Sequence, residues 1–268
     1  MIKSEKNLES ANLIYTCYDG KQRTKENLVP NHILTMVIAG TSHAWYNGKE
    51  IITTAGGFRF MRKNTLAKFT KYPDPGQGYK VLSIMPDTQT LLEYSRQFNI
   101  GPVIPASGPG IINLPATPLL KSFFQSLVPY VDDEKKRFKQ ISKIKVMEAV
   151  SILLDLNPSF ANVLFDFSEI GKIDLESFML SNFRYNLSLE EFARLTGRSI
   201  STFKRDFEKS FGTTPYEWLK QKRLEEAYFL IDHDKRSPGD ASFLAGFVNY
   251  SHFSRLFKTQ YNISPSEI

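Results

Sequence analysis

The sequence predicts an α+β protein of two domains: a β-rich amino-terminal domain with accessory helices, and an all-α carboxy-terminal tail. Three observations carry that expectation. Residues 10 to about 86 break into short apolar stretches separated by turn signals. Thr88 to Leu156 changes to helical periodicity, and from Ile173 a pattern of helix, turn and helix runs twice. A chain of 268 residues is long enough for two cores of ordinary size.

Strands are expected at His32 to Ile38, His43 to Tyr46, Glu50 to Thr53, Phe58 to Met61 and Tyr79 to Met85. Asn47-Gly48, Gly56-Gly57 and Pro73-Asp74-Pro75-Gly76 punctuate them. Asn-Gly between two apolar stretches is a hairpin signal, because both central residues of a type I′ turn need positive φ. Several short strands at this spacing point to a small barrel or sandwich. Trp45, Tyr46, Phe58 and Phe60 are expected to build its core, as aromatic strand residues usually do. The basic run Arg59, Arg62, Lys63, Lys68 and Lys71 reads as a solvated strand face.

In the second region Leu91, Leu92, Tyr94 and Phe98 share one helix face, and Leu119, Leu120, Phe123, Phe124 and Leu127 another. Ile141, Ile144, Met147, Ala149 and Leu153 form a third stripe. These faces suit packing against the strands, and the same spacing also suits a dimer seam. Gly101-Pro102 through Pro115 reads as a loop. The domains are placed at 1–156 and 172–268, with 157–171 as linker.

Composition narrows the function. Apolar residues make up 41% and charged residues 23%, a soluble globular balance. The amino terminus lacks a basic segment followed by an apolar run, and no apolar stretch approaches the roughly 20 residues of a membrane span. Cys17 stands alone and fits a reducing compartment, so a cytoplasmic protein is expected. The net charge of +6 suits a polyanionic partner. From Lys172 onward, however, 14 basic residues face 13 acidic ones, so local placement must decide.

Sliding the final segment back by 50 positions aligns Ser201 with Ser251, Phe203 with Phe253, Arg205 with Arg255 and Phe207 with Phe257. Phe211 then meets Tyr261, Pro215 meets Pro265 and Glu217 meets Glu267. A fixed offset across such mixed chemistry indicates a duplicated supersecondary unit. In the first copy, about 186–212, Ser188-x-x-Glu191 fits a capping box, and Gly197 suits a left-handed helix end. Ser199 opens a second helix that buries Phe203 and Phe207 and turns Ile200, Ser201, Lys204 and Arg205 outward. In the second copy, about 237–262, Pro238 starts a helix and Gly246 follows it. The next helix begins near Asn249, buries Phe253 and Phe257, and exposes Tyr250, Ser251, Ser254 and Arg255, with Lys258 a turn further on. Arg donates two parallel hydrogen bonds that match guanine O6 and N7, whereas Ser and Lys more often hold phosphate. Pro215 to about Asp232 reads as one connecting helix of about 25 Å, able to set two reading helices in successive major grooves. Double-stranded DNA is the partner these features fit.

The residues that carry this pattern resemble a known family. Leu189-Glu-Glu-Phe-Ala-Arg-Leu-Thr-Gly197, Ser201-Thr-Phe-Lys-Arg205 and Phe211-Gly-Thr-Thr-Pro215 are similar to the first half of the AraC/XylS DNA-binding domain. Gly246-Phe247, Ser251-His-Phe-Ser-Arg-Leu-Phe-Lys258 and Ile263-Ser-Pro265 resemble its carboxy-terminal signature. The resemblance implies that Ile200, Ser201, Lys204, Arg205, Tyr250, Ser251, Ser254 and Arg255 face DNA. It further implies a bacterial regulator, by the family norm an activator that contacts RNA polymerase, although the DNA-facing residues leave repression open, with a cupin-like barrel and dimerisation helices in the amino-terminal domain. Such a barrel senses a small molecule or a partner protein in a homodimer. Where the family has an aliphatic residue and an Ile-Ala pair, this chain has Pro238 and Ala241-Ser242, which implies looser packing there.

A cupin-type metalloenzyme is the rival reading. It needs about three His and a carboxylate around a metal. Of four His, only His32 and His43 lie in the strand region, while His233 and His252 lie in the tail. No cofactor or metal is therefore expected, no phosphate-binding Gly loop is present, and no enzymatic activity is assigned.

Overall fold

The computed structural model describes residues 6–10, 12–23, 28–101, 103–104, 108–131, 139–168 and 171–268. They form two compact units, the first reaching Ser168 and the second covering Gly171 to Ile268.

The first unit contains β1 (Lys6–Ser10), β2 (Leu13–Tyr18), β3 (Gln22–Arg23), β4 (Leu28–Val29), β5 (Ile33–Ala39) and β6 (Thr41–Tyr46). They are followed by β7 (Lys49–Thr54), β8 (Phe58–Met61), β9 (Thr65–Leu66), β10 (Lys68–Tyr72), β11 (Tyr79–Ile84) and β12 (Ile111–Leu114). A six-stranded sheet has the order β1-β2-β11-β5-β8-β12, a four-stranded sheet β3-β10-β6-β7, and β4 pairs with β9. The pairs are antiparallel, and among the described residues neither sheet closes on itself. The expected hairpin joins β6 to β7, with Asn47 at φ 48° and Gly48 at φ 72°. The five strands expected from the sequence correspond to β5, β6, β7, β8 and β11.

Among the described residues the α-helices of this unit are α1 (Thr88–Gln97), α2 (Pro118–Val131), α3 (Lys139–Leu156) and α4 (Ala161–Leu164). Strand alternation divides the buried side chains between two layers. Leu34, Phe58, Phe60, Leu82 and Ile84 meet Leu91, Phe124, Leu127, Val150 and Leu153 of the helices. Between strands of the two sheets lie Ala44, Met61 and Ile111, with Phe69 beside them. Phe58 and Phe60 are core residues, 1% exposed each, as expected.

Four details differ from the sequence reading. Phe98, Leu119 and Ile144 are exposed, and the buried stripe of α3 is Val146, Ala149, Val150 and Leu153. That helix is apolar on more than one side, so its neighbours, not its periodicity, choose the buried face. Within the expected loop from Gly101-Pro102 to Pro115, Ile111–Leu114 pairs with β8, while Pro102 and residues 105–107 lie outside the described residues. Phe160, Leu164 and Phe165, in the expected linker, are buried in the core of the first unit.

The fourth difference concerns the basic run. Arg59 and Lys68 are buried, 3% and 4% exposed, and not on a solvated face. The reason is that β8 is covered on both sides, so the residue between Phe58 and Phe60 must point toward the second sheet. Arg59 donates from Nη1 to Ser42 Oγ at 3.1 Å and from Nη2 to the carbonyls of Ser42 and Ile51, both at 3.0 Å. Its Nε lies 3.5 Å from Asn113 Oδ1. These acceptors on β6, β7 and β12 make Arg59 a polar brace between the sheets, and burial lowers its pKa from 12.5 to about 10.

His32 is 2% exposed and stacks on Phe60 at 5.8 Å between ring centroids. Its Nδ1 accepts from the Lys63 N–H at 3.2 Å. Burial first, then the neighbouring Lys63 and Arg62 charges, lower its pKa from 6.5 to about 3, against a smaller opposing pull from Asp166. The folded unit holds His32 neutral, whereas the unfolded chain takes up a proton below 6.5. Its contribution to stability is therefore complete above pH 6.5 and is lost as pH falls toward 3. His32→Phe is expected to flatten the fall in melting temperature across that window, measured by calorimetry against the wild-type chain. A parallel fall in both proteins would contradict the assignment.

The second unit consists of α5 (Leu175–Asn182), α6 (Leu189–Leu195), α7 (Ile200–Phe211), α8 (Pro215–Asp232), α9 (Pro238–Ala245) and α10 (Tyr250–Tyr261). Phe192, Phe203 and Phe207 are fully buried in its first half, with Trp218 and Phe211 against Phe207 at 5.6 and 4.3 Å between centroids. Leu224, Ala227, Leu230, Ala241, Ala245, Phe253 and Phe257 form the second core. Ala241 and Ala245 are fully buried, so the small residues of α9 serve close packing against this core. No helix among the described residues is long and apolar enough to cross a membrane.

Candidate nucleic-acid interface

The 50-residue offset in the sequence is an offset in structure. The helices α7 and α10 each contain 12 residues, and each ends in a left-handed residue, Gly212 at φ 68° and Asn262 at φ 60°. Ser199 Oγ accepts from the Thr202 N–H, and Asn249 Oδ1 accepts from the His252 N–H. These caps satisfy amides that a helix start leaves unpaired. The capping box of α6 is complete, with Glu191 N–H donating to Ser188 Oγ and Ser188 N–H donating to Glu191 Oε2.

Phe203 and Phe207 lie inward at 0% exposure, and so do Phe253 and Phe257. With that face fixed, helical geometry sends the other sequence-selected residues outward. Ser201, Lys204 and Arg205 are exposed on α7, and Ile200 is half-buried at its first position. Tyr250, Ser251, Arg255 and Lys258 are exposed on α10, and Ser254 is half-buried. Each helix thus gathers its own set of residues on one solvent-facing side, near its start except for Lys258 in the last turn of α10.

Two glycines let the chain turn tightly before α7 and α10. Gly197 has φ +67°, and a Cβ there would come within 2.4 Å of the Gly171 carbonyl oxygen. Gly246 has φ +106°, and a Cβ would lie 2.6 Å from the Arg184 carbonyl oxygen and 3.0 Å from Arg223 Nε. Gly246→Ala is expected to destabilise the helical unit by about 2–4 kcal/mol, combining backbone strain with overpacking. Urea unfolding checks this; an unchanged midpoint would contradict the close approach.

Several residues escaped the sequence reading. Asp206 accepts from Arg198 Nε and Lys172 Nζ, each at 3.1 Å, and these two hydrogen bonds hold its carboxyl at about 2. Arg205 Nη2 lies 3.5 Å from the same carboxylate, and Arg198 Nη1 also donates to the Ile173 and Thr196 carbonyls. Arg223 donates to the carbonyls of Phe183 and Tyr185 at 2.8 and 2.7 Å, and burial lowers its pKa to about 10. A signal for Arg223 existed, because it lies four residues from both Leu219 and Ala227 on the apolar stripe of α8. His252, beside Arg255 on α10, is the other residue missed.

A family model described as a helix-turn-helix domain matches residues 192–268, and one described as the ExsA N-terminal regulatory domain matches 32–163. The HTH-type transcriptional regulator ExsA of Pseudomonas aeruginosa is 27% identical over 158 residues, covering 59% of this chain and 57% of that protein. The virulence regulon transcriptional activator VirF of Yersinia enterocolitica is 27% identical over 154 residues, covering 56% of each. The chain therefore matches little more than half the length of these relatives. Among solved structures, an apo form of ToxT from Vibrio cholerae aligns over 97% of both chains at 14% identity, with a TM-score of 0.47. With one family model on each unit, the chain belongs to the AraC/XylS family of transcription regulators.

Proposed function

We propose that this chain is a sequence-specific transcription regulator that grips promoter DNA through two helix–turn–helix units, 186–212 and 237–262, joined by α8. The observation that carries the reading is the duplication itself. The repeat preserves buried Phe, caps and left-handed helix ends, and also outward Ser and Arg, which packing alone does not require. In this reading Arg205 and Arg255 read base edges, most simply guanine. Ser201, Lys204, Ser251 and Lys258 hold phosphate, and Ile200, Tyr250 and Ser254 complete the two contact surfaces. DNA binding is assigned to 172–268. Sensing and dimerisation are assigned to a cupin-like domain that comprises residues 1–156 together with the segment carrying the buried Phe160, Leu164 and Phe165.

The matching regulatory-domain model supports control through the first unit, and the likeness to VirF, a transcriptional activator, supports activation, with contact to RNA polymerase as the proposed route. A cytoplasmic homodimer controlled by a small molecule or a protein partner completes the scheme. Native mass spectrometry of the purified protein distinguishes a retained small molecule from a protein-controlled form.

Selection of bound fragments from a random duplex library tests the DNA assignment. Arg205→Ala and Arg255→Ala are each expected to weaken binding to the selected fragment by about 1–3 kcal/mol and to relax preference at one base position. Full affinity and selectivity in either variant would contradict the placement of that helix.

A further inference from the structure

The two reading helices are copies in length, caps and core, yet they hold their arginines differently. Arg205 lies 3.5 Å from Asp206, a carboxylate already engaged by Arg198 and Lys172. In the second copy Leu256 stands where Asp206 stands in the first, so that acidic neighbour is absent. In its place Arg255 Nη2 lies 3.2 Å from His252 Nδ1. His252 occupies the position of Thr202, whose hydroxyl instead bonds the cap residue Ser199 at 3.0 Å. The repeat therefore departs from itself at the residue that touches the arginine.

The geometry determines the direction of this contact. A guanidinium only donates, so His252 Nδ1 accepts, and the proton of the neutral ring sits on Nε2. The His252 backbone is itself pinned, because its N–H donates to the cap oxygen of Asn249 at 2.9 Å. Further along, the Arg255 carbonyl accepts from Thr259 Oγ1 at 2.9 Å. The cap thus fixes the main chain at His252, and the imidazole ring of the same residue meets the guanidinium. Both side chains are exposed, so the contact contributes little to folding. What it does is remove rotamer freedom from a long side chain that must present a planar fork to a base.

We infer that His252 is a positioning residue for Arg255, presetting its guanidinium so that the pair acts as one reading unit on the second half-site. This rests on the reading of α10 as a DNA-contacting helix.

The test uses the full chain and a random-sequence duplex library, with the bound fraction sequenced for wild type, His252→Ala, His252→Gln, Arg255→Ala and the double alanine variant. His252→Ala is expected to relax the same base pair as Arg255→Ala, lowering its enrichment about three- to tenfold, the scale of one lost hydrogen bond. The double variant should be no more relaxed there than Arg255→Ala alone. His252→Gln, whose amide oxygen can accept from the guanidinium, should keep most of the enrichment. Affinity for non-specific duplex should remain at the wild-type level in His252→Ala, which excludes a folding defect. The proposal is overturned if His252→Ala relaxes a different base pair, leaves the profile unchanged, or adds its effect to that of Arg255→Ala. Should the wild-type chain enrich no sequence at all, the DNA reading fails first and this inference with it.

Discussion

Replacing Phe203 by Ala is expected to destabilise the helical unit by about 3–5 kcal/mol, the cost of truncating a fully enclosed ring. Phe203 is 0% exposed and packs between Phe192 and Phe207, at 6.5 and 5.7 Å between centroids. It anchors α7 to α6, so the cavity opens where the first helix pair is joined. Trp218 lies 5.6 Å from Phe207 and reports on the same cluster. Urea unfolding followed by fluorescence in a Trp45→Phe background reads that unit alone. A loss below about 1 kcal/mol would place Phe203 outside the core and undo the face assignment of α7.

Arg59→Ala is expected to destabilise the first unit by a similar amount, about 3–5 kcal/mol, through polar loss and not a missing ring. Its removal takes the guanidinium from the Ser42 and Ile51 carbonyls and from Asn113, which all lie inside or beside the inter-sheet space. Buried acceptors left without donors cost about 1–3 kcal/mol each. Asn113 still accepts from Thr53 Oγ1 at 2.7 Å, so its loss is partial. Arg59→Lys should recover little, since one ammonium cannot span acceptors on three strands. Calorimetry of the first-unit transition checks both variants. Wild-type stability in Arg59→Lys would mean that charge, and not the spread of donors, matters at this position.

The contrast between these two residues shows what was legible in the sequence. Phe203, Phe207, Phe253 and Phe257 announce themselves, because a four-residue spacing of large apolar side chains has few uses outside a buried helix face. The offset of 50 then reinforces each copy with the other, and the caps Ser188 and Ser199 and the turns at Gly197 and Gly246 follow from local backbone chemistry. Arg59 could not be read this way. Strand alternation marks it as facing away from Phe58 and Phe60, and only the presence of a second sheet turns that direction from solvent into interior. The buried face of α3 is hidden in another way, because that helix offers more than one apolar side and Ile144 stands on the exposed one. Ile111–Leu114 was hidden among Gly and Pro, and its pairing with β8 comes from a segment some 50 residues away. Within the candidate interface, Asp206 and His252 are not legible from the repeat, because they stand where the two copies differ.

Methylation interference at guanine N7 on the selected duplex reports whether α7 and α10 enter the major groove, because N7 lies there. Two clusters of interfering guanines are expected on one face, separated by about 10–10.5 base pairs, one erased by Arg205→Ala and the other by Arg255→Ala. A single cluster, or interference that neither substitution alters, would contradict the placement of α7 and α10 in successive grooves.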